Sequence, residues 1–187
     1  MLIWISGPTG SGKTSLSELF RKCGYSVVIE KLPETQFAAF QADPARHCAA
    51  LQEQIIRSRF ESWKRLINSP RIVFDRSIDE DINVFCKMHF ELGLVTESEF
   101  SELKGIANTL QRSIPEPDLI LFMHPSAAVL SSRVTASSHP DVIVKALDRQ
   151  LSLYSEWLQN KTAEVLILDN SKCELSTFQR IFSGVLS

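Results

Sequence analysis

Gly7-Pro8-Thr9-Gly10-Ser11-Gly12-Lys13-Thr14 satisfies the pattern G-x-x-x-x-G-K-[ST] in full. Such a loop cradles phosphates. Its glycines let successive backbone N–H groups turn inward without Cβ clashes, and the helix that follows adds partial positive charge at its N-terminus. Lys13 then reaches the β- and γ-phosphates of a nucleoside triphosphate, and the Thr14 hydroxyl ligates Mg²⁺. The same loop serves kinases, GTPases and ATP-driven switches, so the reaction must be read from the residues around it.

Three further groups have the chemistry to act beside that loop. Asp75-Arg76-Ser77 ends an apolar run, where an Asp can hold magnesium through water and an Arg can pair with a phosphate or a substrate oxygen. Glu30 closes V-V-I-E and is placed to take a proton from a substrate hydroxyl. Gln52 and Arg59 lie seven residues apart, on one helix face. They are either donors for a base edge or simply polar positions on an amphipathic helix, and their types alone do not decide between the two.

The elements that must position these groups alternate short apolar runs with amphipathic stretches, the pattern of a parallel sheet covered by helices. Strands are expected at Leu2–Ile5, Tyr25–Ile29, Arg71–Phe74, Leu119–Met123 and Val165–Leu168. Helices are expected at Thr14–Lys22, closed by Gly24, and along a run carrying Leu51, Ile55, Ile56, Phe60, Trp63 and Ile67. Others follow at Ile82–Glu91, Glu97–Ser113, Ala127–Val134 and Val142–Gln159, with a last one from about Leu175. Thr96 and Glu99 form a capping box. Between the second strand and the long helix, K-L-P-E reads as a turn and Asp43-Pro44 as a break. The implied fold is α/β: a P-loop NTPase fold with a five-stranded, parallel, doubly wound sheet, as one domain over residues 1–187.

With a net charge of -2, the chain has no broad basic field to draw it to nucleic acid or to an anionic membrane. Its apolar runs are too short to span a bilayer, and M-L-I-W-I-S-G does not read as a signal peptide. Cys23, Cys48, Cys86 and Cys173 lie far apart, which favours reduced thiols and a cytoplasmic protein over disulfides or a zinc site.

Four pieces in order resemble the deoxynucleoside kinase family, from the loop to about Leu158. They are G-P-T-G-S-G-K-T; V-V-I-E-K-L-P-E-T-Q-F with D-P-A-R-H-C-A-A-L-Q-E-Q-I-I-R-S-R-F; F-D-R-S-I-D-E-D-I-N-V-F; and L-Y-S-E-W-L. The resemblance implies a nucleoside 5′-kinase that uses ATP and Mg²⁺ on a small-molecule nucleoside. It makes Glu30 the general base on the 5′-hydroxyl, Asp75 a magnesium ligand, and Arg76 the group that orients Glu30 and the 5′-oxygen. Gln52 and Arg59 would read the base, Asp81 would tune base choice, and Arg133 would open a lid-like segment at about 133–141. Helices between Ile82 and Ser113, together with the Gln52–Trp63 helix, would form a homodimer bundle.

The chain departs from the family pattern in its lid. The family's arginine-rich run is here R-V-T-A-S-S-H-P-D, with Arg133 alone and His139 as a conditional substitute. Gln41 aligns with the tyrosine that holds the sugar 3′-hydroxyl, and the lid glutamate sharing that hydroxyl is missing. Lys31 replaces a proline beside Glu30, where its charge would lower the Glu30 pKa. Two rivals follow: a monophosphate kinase of the thymidylate kinase type, which the poor lid disfavours, and a catalytically weak nucleotide-binding sensor or adaptor.

Overall fold

A computed structural model describes residues 1–29, 32–136 and 145–171. Five strands form one parallel sheet: β1 (Leu2–Ser6), β2 (Ser26–Val28), β3 (Ile72–Asp75), β4 (Leu119–Met123) and β5 (Glu164–Leu168), in the order β2-β3-β1-β4-β5. Every residue of β1, β3 and β4 is buried, as expected of central strands covered on both faces.

Alternation along the strands divides the core in two. Ile3, Ile5, Val73, Leu119 and Leu121 face α1 (Lys13–Lys22), which contributes Leu16 and Phe20. Leu2, Trp4, Ile72, Phe74, Ile120 and Phe122 face the larger cluster. That side is built by α3 (Pro44–Leu66), α6 (Glu97–Gln111) and α8 (Leu147–Gln159), with Ile56, Trp63, Leu103, Leu153 and Trp157 turned inward. Helix α7 (Ala127–Thr135) follows β4.

Local signals fix several helix ends. The Asp43 carboxylate accepts from the Arg46 N–H at 3.2 Å, and Pro44 fills the first turn of α3, where a missing N–H does no harm. The capping box forms: the Glu99 N–H donates to the Thr96 hydroxyl at 3.3 Å and the Thr96 N–H to Glu99 at 2.8 Å. Gly24 has φ +85, the left-handed conformation expected where α1 ends.

Two expectations are corrected. The stretch between the K-L-P-E turn and Asp43, to which the sequence assigns no element, is a helix, α2 (Glu34–Ala42), whose two phenylalanines and three alanines outweigh the flanking turn signals. The helix expected from Ile82 starts earlier, as α4 (Ile78–Glu80) capped by the Ser77 hydroxyl. It runs through a π-helical segment, Asp81–Cys86, into α5 (Lys87–Glu91). The C-terminal helix expected from Leu175, and the residues 142–144 assigned to the last central helix, lie outside the described residues. Among the described residues no helix is long and apolar enough to cross a membrane.

Candidate active site

The glycine loop joins β1 to α1. Gly12, at φ +94, caps α1, and a Cβ there would fall 2.2 Å from Asn170 Nδ2. That same Asn170 amide donates to the Ser11 carbonyl at 2.9 Å. At Gly7 a Cβ would meet the Met123 carbonyl at 2.5 Å. Both positions therefore exclude any side chain. Lys13 is buried and curls over the loop, donating to the Pro8 carbonyl at 2.8 Å and to Ser11 Oγ at 3.4 Å. On the opposite side the Thr9 N–H donates to Gln150 at 3.3 Å.

Pairing of β1 with β3 sets Ile5 beside Asp75, and this brings the loop to the carboxylate. The Thr14 hydroxyl donates to Asp75 Oδ2 at 3.1 Å. A hydroxyl and a buried carboxylate are hard oxygen donors, the set that suits Mg²⁺ when substrate oxygens and waters complete the shell. Among the described residues no group of three or more His, Cys, Asp or Glu forms an all-protein metal cage.

Arg76 sits at φ +69, a left-handed backbone rarely adopted by a non-glycine residue, directly at the end of β3. Its N–H is held by the Ile5 carbonyl at 3.0 Å. The guanidinium is buried. Its Nη1 donates to the Gly7 carbonyl at 3.1 Å, to Glu80 at 2.7 Å and to the Tyr154 hydroxyl at 2.9 Å. It also lies 4.3 Å from the Phe85 ring centroid. The Tyr154 hydroxyl in turn reaches the Gly7 carbonyl at 2.7 Å and hydrogen-bonds Glu80. Burial, and then the Glu80 charge, push the Tyr154 pKa well up, so the phenol stays protonated. The expected pairing of Arg76 with Glu30 falls on a residue outside the described ones, as do Lys31 and His139.

Arg59 and Gln52 are both buried, which rules out the reading as solvated polar positions on a helix face. Arg59 holds Asp81 through two contacts, Nε–Oδ2 at 2.6 Å and Nη2–Oδ1 at 3.1 Å, and donates to the Asp75 carbonyl at 2.7 Å. It thereby ties the end of β3 to the π-helical segment. Gln52 Oε1 accepts from the Cys86 thiol at 3.6 Å. Burial raises Cys86 well above the usual thiol range, so it donates as a thiol.

Gln52, Asp81 and Arg76 line one cleft together with Phe37, Phe40, Phe85 and His89, and Thr9 joins that cleft to the phosphate loop. A larger groove along β2 and α3 is lined by Arg59, which does not line the cleft, and includes none of the loop residues, so the cleft at Thr9 is the one the chemistry selects. Gln41 does not join it. Gln41 is exposed on the last turn of α2, and its neighbour Phe40 is the residue turned into the cleft. Arg133 backs the loop: Nη1 donates to the Gly10 carbonyl at 3.2 Å and Nη2 to the Asn170 carbonyl at 3.1 Å.

Sequence reasoning did not single out Phe37, Phe40, Glu80, Phe85, His89 or Tyr154. Glu80 and Phe85 stood inside F-D-R-S-I-D-E-D-I-N-V-F and Tyr154 inside L-Y-S-E-W-L, so the motifs held them without marking their roles. The four-residue spacing of Asp81, Phe85 and His89 was the remaining signal, because it places them along one face of a widened helix.

A phosphate loop, a hydroxyl–carboxylate pair and an aromatic cleft on a parallel α/β sheet define a P-loop phosphotransferase architecture. The family model for deoxynucleoside kinase matches residues 3–187, and the chain belongs to that family. It is 29% identical over 164 residues to a deoxyadenosine kinase of Dictyostelium discoideum, covering 84% of this chain and 66% of that protein. It is 25% identical over 138 residues to a deoxyadenosine/deoxycytidine kinase of Bacillus subtilis (strain 168), covering 71% of this chain and 64% of that protein. The chain thus spans just under two thirds of the length of these relatives. In fold it is similar to the deoxyadenosine kinase of M. mycoides with products dCMP and dCDP bound, with a TM-score of 0.82 at 20% identity over 100% of this chain and 98% of that one. Against the same kinase with dATP bound the TM-score is 0.78, at 20% identity over 100% of both chains.

Proposed function

We propose that this protein is a nucleoside kinase that moves the γ-phosphoryl group of ATP to the 5′-hydroxyl of a deoxynucleoside. The names of the relatives make deoxyadenosine, then deoxycytidine, the first acceptors to consider. The observation that carries the reading is the meeting of two half-sites at Thr9 and Arg76. On one side stands the loop with Lys13, Thr14 and Asp75; on the other, an aromatic cleft with the Gln52 amide at its wall.

Phosphoryl transfer needs positioning and charge neutralisation more than covalent chemistry. Lys13 neutralises phosphate charge, and the loop N–H groups hold the donor in place. Thr14 and Asp75 would hold Mg²⁺, which when bound offsets charge on the phosphate oxygens. Phe85 and Phe40 stack against the acceptor, and Gln52 reads its base edge. Glu30 takes the proton of the 5′-hydroxyl as that oxygen attacks.

The test is a transfer assay with Mg-ATP against the four deoxynucleosides, their ribo forms and the monophosphates. Transfer to a nucleoside, lost in Glu30→Gln while ATP binding persists, is the expected result. Tight ATP binding without transfer to any acceptor would instead establish the sensor.

A further inference from the structure

His89 belongs to the cleft but to none of the roles above. It lies in the last turn of α5 and is 4% exposed, and its Nδ1 has no hydrogen-bond partner among the described residues. Buried polar atoms are paired in the great majority of cases, and this unpaired nitrogen belongs to a ring that lines an open cleft, so a molecule seated in the cleft is the partner left to it. Packing alone would be served by an apolar residue. The ring does pack, standing edge-on to Phe40 with centroids 6.0 Å apart, but that contact leaves the nitrogen unsatisfied. Burial lowers the imidazole pKa from 6.5 to about 4, so at neutral pH the ring carries one N–H and one acceptor nitrogen, and no charge.

The surroundings narrow the choice of partner. Phe37, Phe40, Leu51 and Phe85 give the cleft apolar walls, and Thr9, Gln52, Arg76 and Asp81 are the other polar side chains that line it. A neutral imidazole in such a wall suits an uncharged hydroxyl or amine and gives nothing to a phosphate.

Building on the kinase reading, we propose that His89 is a specificity residue of the acceptor cleft, hydrogen-bonding an uncharged hydroxyl or amino group of the bound nucleoside. Two groups on a nucleoside have that chemistry, the sugar 3′-hydroxyl and the exocyclic amine of the base. Deoxyadenosine is therefore compared with 2′,3′-dideoxyadenosine, which lacks the first, and with purine 2′-deoxyriboside, which lacks the second.

Binding by calorimetry and transfer kinetics are measured for wild type, His89→Leu and His89→Asn. Wild type should prefer deoxyadenosine to one of the two analogues. In His89→Leu that preference should collapse by roughly 5- to 150-fold, the range expected from one unpaired buried polar group. The loss should appear in KM and not in kcat, because a contact that only holds the nucleoside is made equally in the ground and transition states. His89→Asn, whose amide reaches the Nδ1 position, should restore part of the preference.

Which analogue loses its disadvantage identifies the group. Unchanged preferences in His89→Leu overturn the proposal, and if that variant does not fold, a His89→Asn profile that discriminates no better than His89→Ala does so. Nucleoside binding without transfer would refute the kinase reading and leave His89 measurable by calorimetry. Absence of nucleoside binding in wild type would refute both.

Discussion

Replacing Glu80 by Ala would remove a carboxylate that lies 2.7 Å from the buried Arg76 guanidinium. Arg76 is 5% exposed and Glu80 0%, so neither charge can turn to water when the other is removed. Breaking such a buried pair from one side costs about 3–5 kcal/mol, mostly from the stranded charge. Two features of the structure pull toward the lower end. Arg76 keeps the Gly7 carbonyl at 3.1 Å, and it keeps the Phe85 face at 4.3 Å. One feature pulls the other way: the Tyr154 hydroxyl also loses Glu80 as a partner. The net expectation is about 3–4 kcal/mol. For a chain of this size each kcal/mol lowers Tm by about 2–4 °C, so calorimetry should show a fall of about 6–16 °C. Arg76→Met combined with Glu80→Leu removes both charges and should regain most of that loss, since an apolar pair of similar volume is often neutral or better. The double variant would still lack the Arg76 contact to the loop and should transfer no phosphate. A Glu80→Ala protein melting within 2 °C of wild type, or a double variant no more stable than the single one, would refute the buried pair as the element that holds Arg76.

Two further outcomes follow from the same geometry. Gly12→Ala must place a Cβ 2.2 Å from Asn170 Nδ2 on a left-handed backbone, so about 2–3 kcal/mol of strain and lost hydrogen bonding should weaken ATP binding by about 30- to 150-fold in calorimetry. Adding Asn170→Gly should recover the steric part only. His89 has a folded pKa lowered to about 4, so its neutral form is the one the fold accepts, and the unfolded chain binds the extra proton below 6.5. Its contribution is intact above pH 6.5 and is lost as pH falls toward 4, by about 2 kcal/mol at pH 5 and about 3 kcal/mol at pH 4. Urea unfolding of wild type against His89→Leu should show that excess slope between pH 7 and pH 4.5 in wild type alone.

How much of this was legible in the sequence differs residue by residue. Gly7 to Thr14 was readable because every role in the loop is local: turn, N–H cradle and helix start occupy eight consecutive positions. Asp75 was readable because strand ends in parallel sheets face the ligand side, and the Thr14 contact at 3.1 Å agrees with that placement. Gln52 and Arg59 could not be settled from periodicity, since the buried and solvated readings share one helix face; burial decided it. Helix α2 was missed because Pro33 and Asp43-Pro44 look like loop punctuation, although both serve here as helix starts. Glu80 and Tyr154 were invisible as a pair. They are 74 positions apart, and nothing local in L-Y-S-E-W-L says that its tyrosine reaches the end of β3.

The loop carbonyls explain what the scarce lid arginines leave in place. For a run of N–H groups to point inward at phosphate, the carbonyls of the same peptides must point outward and find donors of their own. Here the Gly7 carbonyl takes Arg76 and Tyr154, Pro8 takes Lys13, Gly10 takes Arg133 and Ser11 takes Asn170. These donors come from the end of β3, from α8, α1 and α7, and from the segment after β5, so the loop is braced from every neighbouring element. Preorganisation of that kind favours donor binding without any lid, because the loop need not be ordered by its ligand. The same contacts occupy Arg76 and Arg133 with backbone oxygens on the scaffold side. Stabilising charge on a transferring phosphoryl group needs donors aimed at the place where that charge develops. Arg133 in this position shapes the loop, and its removal should therefore act on ATP affinity before it acts on the chemical step.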